Sequence, residues 1–499
     1  MRISLVNTNR MTPPIAPIGL DYLAAACRAE GLDVDVLDLA WADDADAAIR
    51  AHFAERRSEL VGLSFRNVDD SFWPSAAWFV PELRRLVGRI REATDAPVVL
   101  GGCGYSIFAE EVLLATGAEF GIRGDGEAAL PALARELARP RKGAAPRLSH
   151  VPGLVWRDGE AVRENPPAWP APLHIPAGRD ALDNAAYFRH GGQLGLETKR
   201  GCDGACIFCA DPSAKGPRVR CRKPSEVADE VEGLLAAGPD VLHLCDAEFN
   251  HPREHALAVC EELIRRGLGG RVRWYAYLAV MPFDGELADA MRRAGCVGIN
   301  FTAPVASEKM LAALRQPHTK DDLAEVIRLC RERGIAVMPD LMLGSPGETP
   351  ETVRESIDFL RACEPDCVGA GLGVRLYPGL PLTARVLAEA PLESHPGVRT
   401  GRGPLPAGIP ADVAARPLFR PTFYVSPALG PRPAEVVRAA IGDDPRFFPP
   451  ELEPDEGASP VADAASAPGD HNYNDSRRLV DAIAAGARGA YWDILRKLP

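Results

Sequence analysis

The sequence contains no run of about eighteen apolar residues, and its first residues, MRISLVNTNRM, lead straight into a strand instead of a charged segment followed by a long apolar one. The first absence excludes a membrane-spanning helix and the second a secretory leader, so a cytoplasmic location with no membrane partner is expected. Positive charge is also in deficit. The 57 Lys plus Arg face 69 Asp plus Glu, a net charge of −12, which disfavours nonspecific attraction to nucleic acid or anionic membrane. No RNA-binding appendage is recognisable either, and a small or locally recognised substrate is expected. Histidine is nearly missing from the first 140 residues, where only His52 occurs.

At 499 residues, 46% of them hydrophobic, the chain has the composition of a globular protein and is long enough for two or three domains. The first part alternates strand and helix: RISLVNT, a helix near Ile18 to Glu30, DVDVLDL, a helix near Asp43 to Arg57, LVGLSF, a helix near Pro74 to Thr94, PVVLGG, a helix near Glu110 to Ala115, and FGIRG. This rhythm predicts a doubly wound α/β domain over residues 1–137, with right-handed crossovers and a ligand edge at the carboxyl ends of its strands. Those ends carry Thr8 and Asn9, Ser64 to Asn67 (including Arg66), Gly101 to Gly104 (including Gly102), and Gly124 to Glu127. Glycines there let a bulky ligand approach the backbone.

Residues 138–192 break the rhythm with PRKGAAPR and NPPAWPAPLHIPAG and read as a linker. Strand and helix then alternate six more times over residues 193–389, through GQLGLETKR, VLHLCDAEF, VRWYAYLAV, VGINFTA, AVMPDLMLG and VGAGLGVRL. The pattern predicts a partial (β/α)6 barrel, open on one side, with its chemistry at the carboxyl-terminal mouth. Trp274, Tyr275 and Tyr277 on the third of these strands wall the chamber or pack the barrel. Residues 390–499 form a small, mostly α carboxyl-terminal region that holds the substrate determinants. It includes the solvated stretch ELEPDEGASPVADAASAPGD and a final helix from Ser476 to Lys497, whose Tyr491 and Trp492 are expected to pack a core.

Twelve cysteines in such a chain do not suggest a disulfide framework. Three of them, Cys202, Cys206 and Cys209, stand as C-x3-C-x2-C in KRGCDGACIFCADP directly after the first barrel strand. Three thiolates do not complete a zinc tetrahedron, whereas a [4Fe-4S] cube held by three leaves one iron open. Gly201 and Gly204 let the loop fold, Phe208 shields it, and oxygen sensitivity is expected. A zinc loop completed by Cys221 or His243 is the competing reading.

The segment KRGCDGACIFC after a first strand closely resembles the signature of the radical S-adenosylmethionine (SAM) superfamily, over about residues 193 to 385. The resemblance implies that SAM chelates the open iron. It assigns Glu248 and Asp246, in the place of the family's Gly-Gly-Glu, to the SAM amino group. Asn300 and Thr302 then resemble ribose contacts, Gly344 in MLGSPGE the segment along the adenine, and Arg375 a partner for a carboxylate. A doubly wound domain before such a barrel, with GLDYLAAACRAEGLDVDVLDL as its first crossover, resembles the cobalamin-dependent branch of the superfamily. That makes Thr8, Ser64, Arg66, Asn67, Gly101, Gly102, Gly124 and Glu127 the expected cobalamin contacts. The Asp-x-His-x-x-Gly pattern that supplies an axial histidine in other cobalamin proteins is missing, since His52 falls in a helix. Arg66, whose guanidinium has no free lone pair, is expected on the lower side of the cobalt, holding a water or leaving the metal weakly coordinated. Pairing of Arg66 with Asp69 or Asp70 is the alternative.

The activity this implies is methyl transfer to an unactivated carbon, or to phosphorus, of a small-molecule or peptide-derived metabolite. An electron donor such as flavodoxin or ferredoxin would serve it. Cyclisation, rearrangement or oxidation without net methylation uses the same cofactors, and a non-catalytic iron-sulfur redox protein is the reading from another class.

Overall fold

The computed structural model describes residues 1–139, 146–176, 178–401, 408–453 and 472–498. The amino-terminal sheet contains β1 (Arg2–Asn7), β2 (Asp33–Asp38), β3 (Leu60–Ser64), β4 (Val98–Gly101) and β5 (Phe120–Ile122), all parallel, in the order β2-β1-β3-β4-β5. Near-continuous apolar strands such as LVGLS demand cover on both faces, and the helices Ile18–Ala29, Ala45–Glu55 and Val80–Ala93 supply it. The order reverses at β1, so the carboxyl ends of β1 and β3 flank the crevice where such sheets bind ligands.

Residues 138–192 are more than a linker. They contain a hairpin of β6 (Leu154–Asp158) and β7 (Ala161–Glu164), which adds two antiparallel strands beyond β5 and makes the sheet seven-stranded. Alternation in VWRDGEAVR is too short to stand out between proline-rich stretches, and Leu154 and Val155 are buried only because β5 lies alongside.

The second half forms an open, curved parallel sheet around the larger of the hydrophobic cores. Its strands begin with β8 (Leu194–Leu196). The short pair β9 (Lys199–Arg200) and β10 (Arg220–Cys221) then brackets the cysteine loop. β11 (Val241–Leu244), β12 (Arg273–Ala279), β13 (Cys296–Thr302), β14 (Ala336–Leu343) and β15 (Val368–Leu372) follow in spatial order. A small antiparallel sheet of β16 (Val374–Arg375), β17 (Val398–Thr400) and β18 (Thr422–Tyr424) leads out of the barrel. Finally β19 (Phe447–Phe448) joins β15, so the expected six strands are seven. Two residues inside a Pro-rich stretch carry no periodicity from which a strand could be read.

The final helix is broken into Arg477–Ala484 and Tyr491–Leu495, because Gly486 (φ +104°) and Gly489 (φ +153°) take conformations that a helix cannot include. The second piece enters the barrel. Trp492 meets Tyr275 edge-on, and the Tyr275 hydroxyl donates to Asp493 Oδ2 at 2.6 Å. The carboxyl terminus thus seals the lower end of the barrel. Most of ELEPDEGASPVADAASAPGD lies outside the described residues. Among the described residues, no helix is long and apolar enough to cross a membrane.

Candidate active site between the two halves

A single cavity of about 1090 Å³ separates the strand ends of the amino-terminal sheet from the mouth of the barrel. Its barrel wall holds all three cysteines of the triplet, together with Asp246, Glu248 and Thr302. Its opposite wall holds Ser64, Arg66, Gly101, Gly102, Gly124 and Glu127. Five other candidate contacts do not line it, and each has a local reason.

Thr8 donates its hydroxyl to Ser64 O at 2.6 Å, tying β1 to β3, and Asn67 lies under Gly104, where a Cβ would sit 2.7 Å from the Asn67 backbone. Asn300 is buried and donates to Asp340 Oδ2 at 3.1 Å, one pleat below Thr302. Gly344 (φ +93°) packs on Leu372 and Val425 and gives its N–H to Glu348. Arg375 does meet a carboxylate, but it is that of Asp69 at 2.8 Å, and its remaining donors reach the carbonyls of Leu376, Leu418 and Thr422. Asp70 is taken by Ser75. Both acidic partners considered for Arg66 are therefore engaged elsewhere, and its exposed guanidinium projects from the end of β3 with no ion pair among the described residues.

The cysteine loop is held by backbone. Cys202 N–H donates to Gly216 O at 3.1 Å, and Gly201 adopts φ +85° where a Cβ would lie 2.1 Å from Arg218 O. Burial raises the thiol pKa of all three cysteines, that of Cys209 to about 12, so a metal-free site holds thiols, and metal binding would have to displace their protons. Among the described residues, no three His, Cys, Asp or Glu side chains converge tightly enough for a single ion.

The two acidic residues after β11 differ in kind. Asp246 is consumed locally, accepting from Thr198 N–H (2.8 Å), Thr198 Oγ1 (2.6 Å) and Lys199 N–H (3.2 Å). Glu248 instead holds a backbone φ of +56° and keeps a buried Oε2 with no hydrogen-bond partner among the described residues. Burial raises its pKa, against a hydrogen bond from Thr302 and the charge of Lys199. A buried orphan carboxylate oxygen facing the cysteine loop asks for a cation, either an ammonium group or an iron.

On the opposite wall, a Cβ at Gly19 meets nothing within 4 Å and one at Gly101 meets only Ile122 O at 3.9 Å, so both glycines leave room for a large planar ligand over Leu5, Leu20 and Val99. No histidine lines this wall. His52 sits elsewhere, 2.9 Å from Ser4 Oγ.

The walls are clamped by charges that spacing alone did not reveal. Arg200, two residues before Cys202, pairs with Glu127 (2.8 Å), Glu197 (2.8 Å) and Asp125 (3.5 Å), and Arg220 binds Asp125 as well. The linker contributes Trp169, whose ring lies between the two walls. A Cβ at Gly124 would sit 2.7 Å from it and one at Gly216 2.9 Å, with the Arg220 guanidinium 5.2 Å from the ring centroid.

Comparison with known proteins fits this two-walled site. Residues 5–134 match the B12 binding domain and residues 196–360 the radical SAM superfamily. Tryptophan 2-C-methyltransferase of Streptomyces laurentii is 32% identical over 463 residues, which cover 80% of this chain and 76% of that protein. The structure of TsrM, a radical SAM methyltransferase from Kitasatospora setae, solved with tryptophan and a SAM analogue, matches with a TM-score of 0.88 at 32% identity. It covers 99% of this chain and 98% of that one. Another structure of the same protein, with cobalamin and a [4Fe-4S] cluster, matches at 0.86 and 31%, covering 99% and 97%. The chain thus has a B12-binding half facing a radical SAM half. It belongs to the cobalamin-dependent radical SAM methyltransferase family, and a [4Fe-4S] cluster, SAM and cobalamin are its cofactors.

Proposed function

We propose that this methyltransferase acts on a ring carbon of tryptophan or a close indole relative. The observation that carries the reading is the single cavity bounded by the thiolate triplet on one side and the glycine-lined strand ends on the other, in a chain similar over nearly its whole length to proteins named for, or solved with, that substrate. The cofactors supply a methyl carrier and an electron relay. The protein's own part is to hold the reacting groups in line and keep bulk water out.

Cys202, Cys206 and Cys209 hold the iron, and Glu248 offers its free oxygen to the positive end of SAM, with Thr302 beside it. Asp246 orders the loop from below. Ser64, Gly101, Gly102, Gly124 and Glu127 line the corrin side, where Arg66 takes the place that histidine has in other cobalamin proteins. Lacking a lone pair, Arg66 would face bound cobalamin without ligating its metal, and the cofactor held there would supply the methyl carrier. An electron donor such as flavodoxin or ferredoxin maintains the reduced state, in the cytoplasm.

The test is anaerobic reconstitution with iron, sulfide and hydroxocobalamin, followed by incubation with a low-potential chemical reductant, tryptophan and methyl-labelled SAM. Labelled methyltryptophan and S-adenosylhomocysteine are expected. Their absence, in protein whose cluster and corrin spectra are complete, overturns the substrate reading. For Arg66→Ala, a changed corrin spectrum is expected, and an unchanged spectrum and affinity would remove the assignment of Arg66.

A further inference from the structure

β9 runs directly into the cysteine loop and carries two cations side by side, Lys199 and Arg200, on opposite faces of the strand. Arg200 is saturated by Glu127, Glu197 and Asp125. Lys199 is not. It is only 1% exposed, yet among the described residues it makes no ion pair, and its one side-chain hydrogen bond goes to the carbonyl of Ala247. A lysine buried this deeply ordinarily has a carboxylate in contact with its ammonium group.

The position of Lys199 accounts for the exception. Ala247 stands between Asp246 and Glu248 and lines the cavity together with Cys202, Cys206 and Cys209, so the ammonium is held against the back of the cluster wall. Burial lowers the Lys199 pKa, and the charges of Asp246, Cys202, Glu248 and Cys221 work against it. The other cations around the loop are either committed or solvated. Lys215 pairs with Asp211 at 3.1 Å and Arg220 with Asp125, while Arg218 and Arg315 are exposed, where water screens their charge. Lys199 is the buried cation on this wall that no carboxylate touches.

We infer that Lys199 is the counter-charge of the iron-sulfur cluster and sets its reduction potential. Three thiolates beside Asp246 and Glu248 concentrate negative charge on one wall, and reduction of the cluster by one electron adds to it. A buried ammonium behind that wall offsets the added charge, which favours the reduced form and raises the midpoint potential. The hydrogen bond to Ala247 keeps the ammonium in place. Lys199 acts through its charge, so the inference does not depend on which substrate is methylated.

The experiment is a redox titration of the cluster in the reconstituted holoenzyme, without SAM or substrate, read by electron paramagnetic resonance. Lys199→Gln keeps a donor for the Ala247 carbonyl but loses the charge, whereas Lys199→Arg keeps the charge. At a fixed potential, Lys199→Gln is expected to move the balance of reduced and oxidised cluster about tenfold toward the oxidised form, equivalent to a midpoint about 59 mV lower for one electron. Lys199→Arg should stay near wild type. A wild-type midpoint in Lys199→Gln overturns the inference, as does an equal shift in both variants, which would mark a role in packing alone. If Lys199→Gln takes up too little cluster to titrate, its iron and sulfide content decides. Loading recovered in Lys199→Arg supports the counter-charge, and loading equally poor in both variants overturns it.

Discussion

Replacing Arg200 with Met tests whether the cavity owes its form to a charge clamp between its two walls. The guanidinium lies 2.8 Å from both Glu127 and Glu197 and 3.5 Å from Asp125, and its side chain is only 10% exposed. Asp125 keeps Arg220, but Glu127 and Glu197 lose their partner in a place that water barely reaches. Removing one member of a buried pair costs about 3–5 kcal/mol, since the charge left behind stays desolvated. Glu127 belongs to the corrin-side wall and Arg200 to the cluster loop, so the same change should loosen the walls against each other. The expected result is a lowered unfolding midpoint in denaturant and weaker uptake of hydroxocobalamin, with the isolated cluster absorbance largely retained. Adding Glu127→Gln removes one of the stranded charges and should recover part of the loss, a coupling that a double-mutant cycle reads directly. An Arg200→Met protein with the midpoint and corrin affinity of wild type would refute the argument, as would strict additivity with Glu127→Gln.

Other expectations follow from the same geometry. Burial works to raise the Glu127 pKa, but the charge and hydrogen bond of Arg200 outweigh it and leave the group below its ordinary value near 4.5. The stability contributed by this pair is therefore fully present above about pH 4.5 and is lost as the pH falls through the folded value. A Glu127→Gln protein should show a smaller loss over that window in denaturant titrations at stepped pH. Gly124→Ala combines a left-handed φ of +87° with a Cβ 2.7 Å from Trp169. It should cost at least about 1–2 kcal/mol from the backbone alone, and Trp169→Ala should relieve the steric part. Glu248→Gln removes the orphan charge beside the cysteine loop, so SAM affinity or the cluster's electron paramagnetic resonance signal should change, whereas wild-type values of both would contradict its assignment. Arg375→Met strands Asp69 at the other interdomain contact and should lower the unfolding midpoint without altering SAM affinity. A selective loss of SAM binding would instead return Arg375 to the cofactor site.

The sequence by itself determined what local chemistry and periodicity encode. C-x3-C-x2-C is a property of one loop, so Cys202, Cys206 and Cys209 are readable wherever that loop lies. Alternating apolar strands and helices declare two parallel sheets, and parallel sheets put their ligand edges at known ends, which is why Ser64, Arg66, Gly101 and Gly124 could be named in advance. The similarity to known family members rests on the same signals.

Only the tertiary structure decided which groups at those edges remain free. Arg66 and Arg375 look alike in sequence, yet Arg375 is bound to Asp69, 306 residues away, and Arg66 is left open to the cavity because that carboxylate is taken. Asp246 and Glu248 are two residues apart, but the hydrogen bonds of Thr198 and Lys199 satisfy one and leave an oxygen of the other unpaired. Tyr491 gave no sign of reaching the cavity and Trp169 none of separating its walls, since both do so through contacts between distant parts of the chain. Spacing along the chain fixes which donors a site can use. Burial and pairing across the fold fix which of them are still available to a ligand.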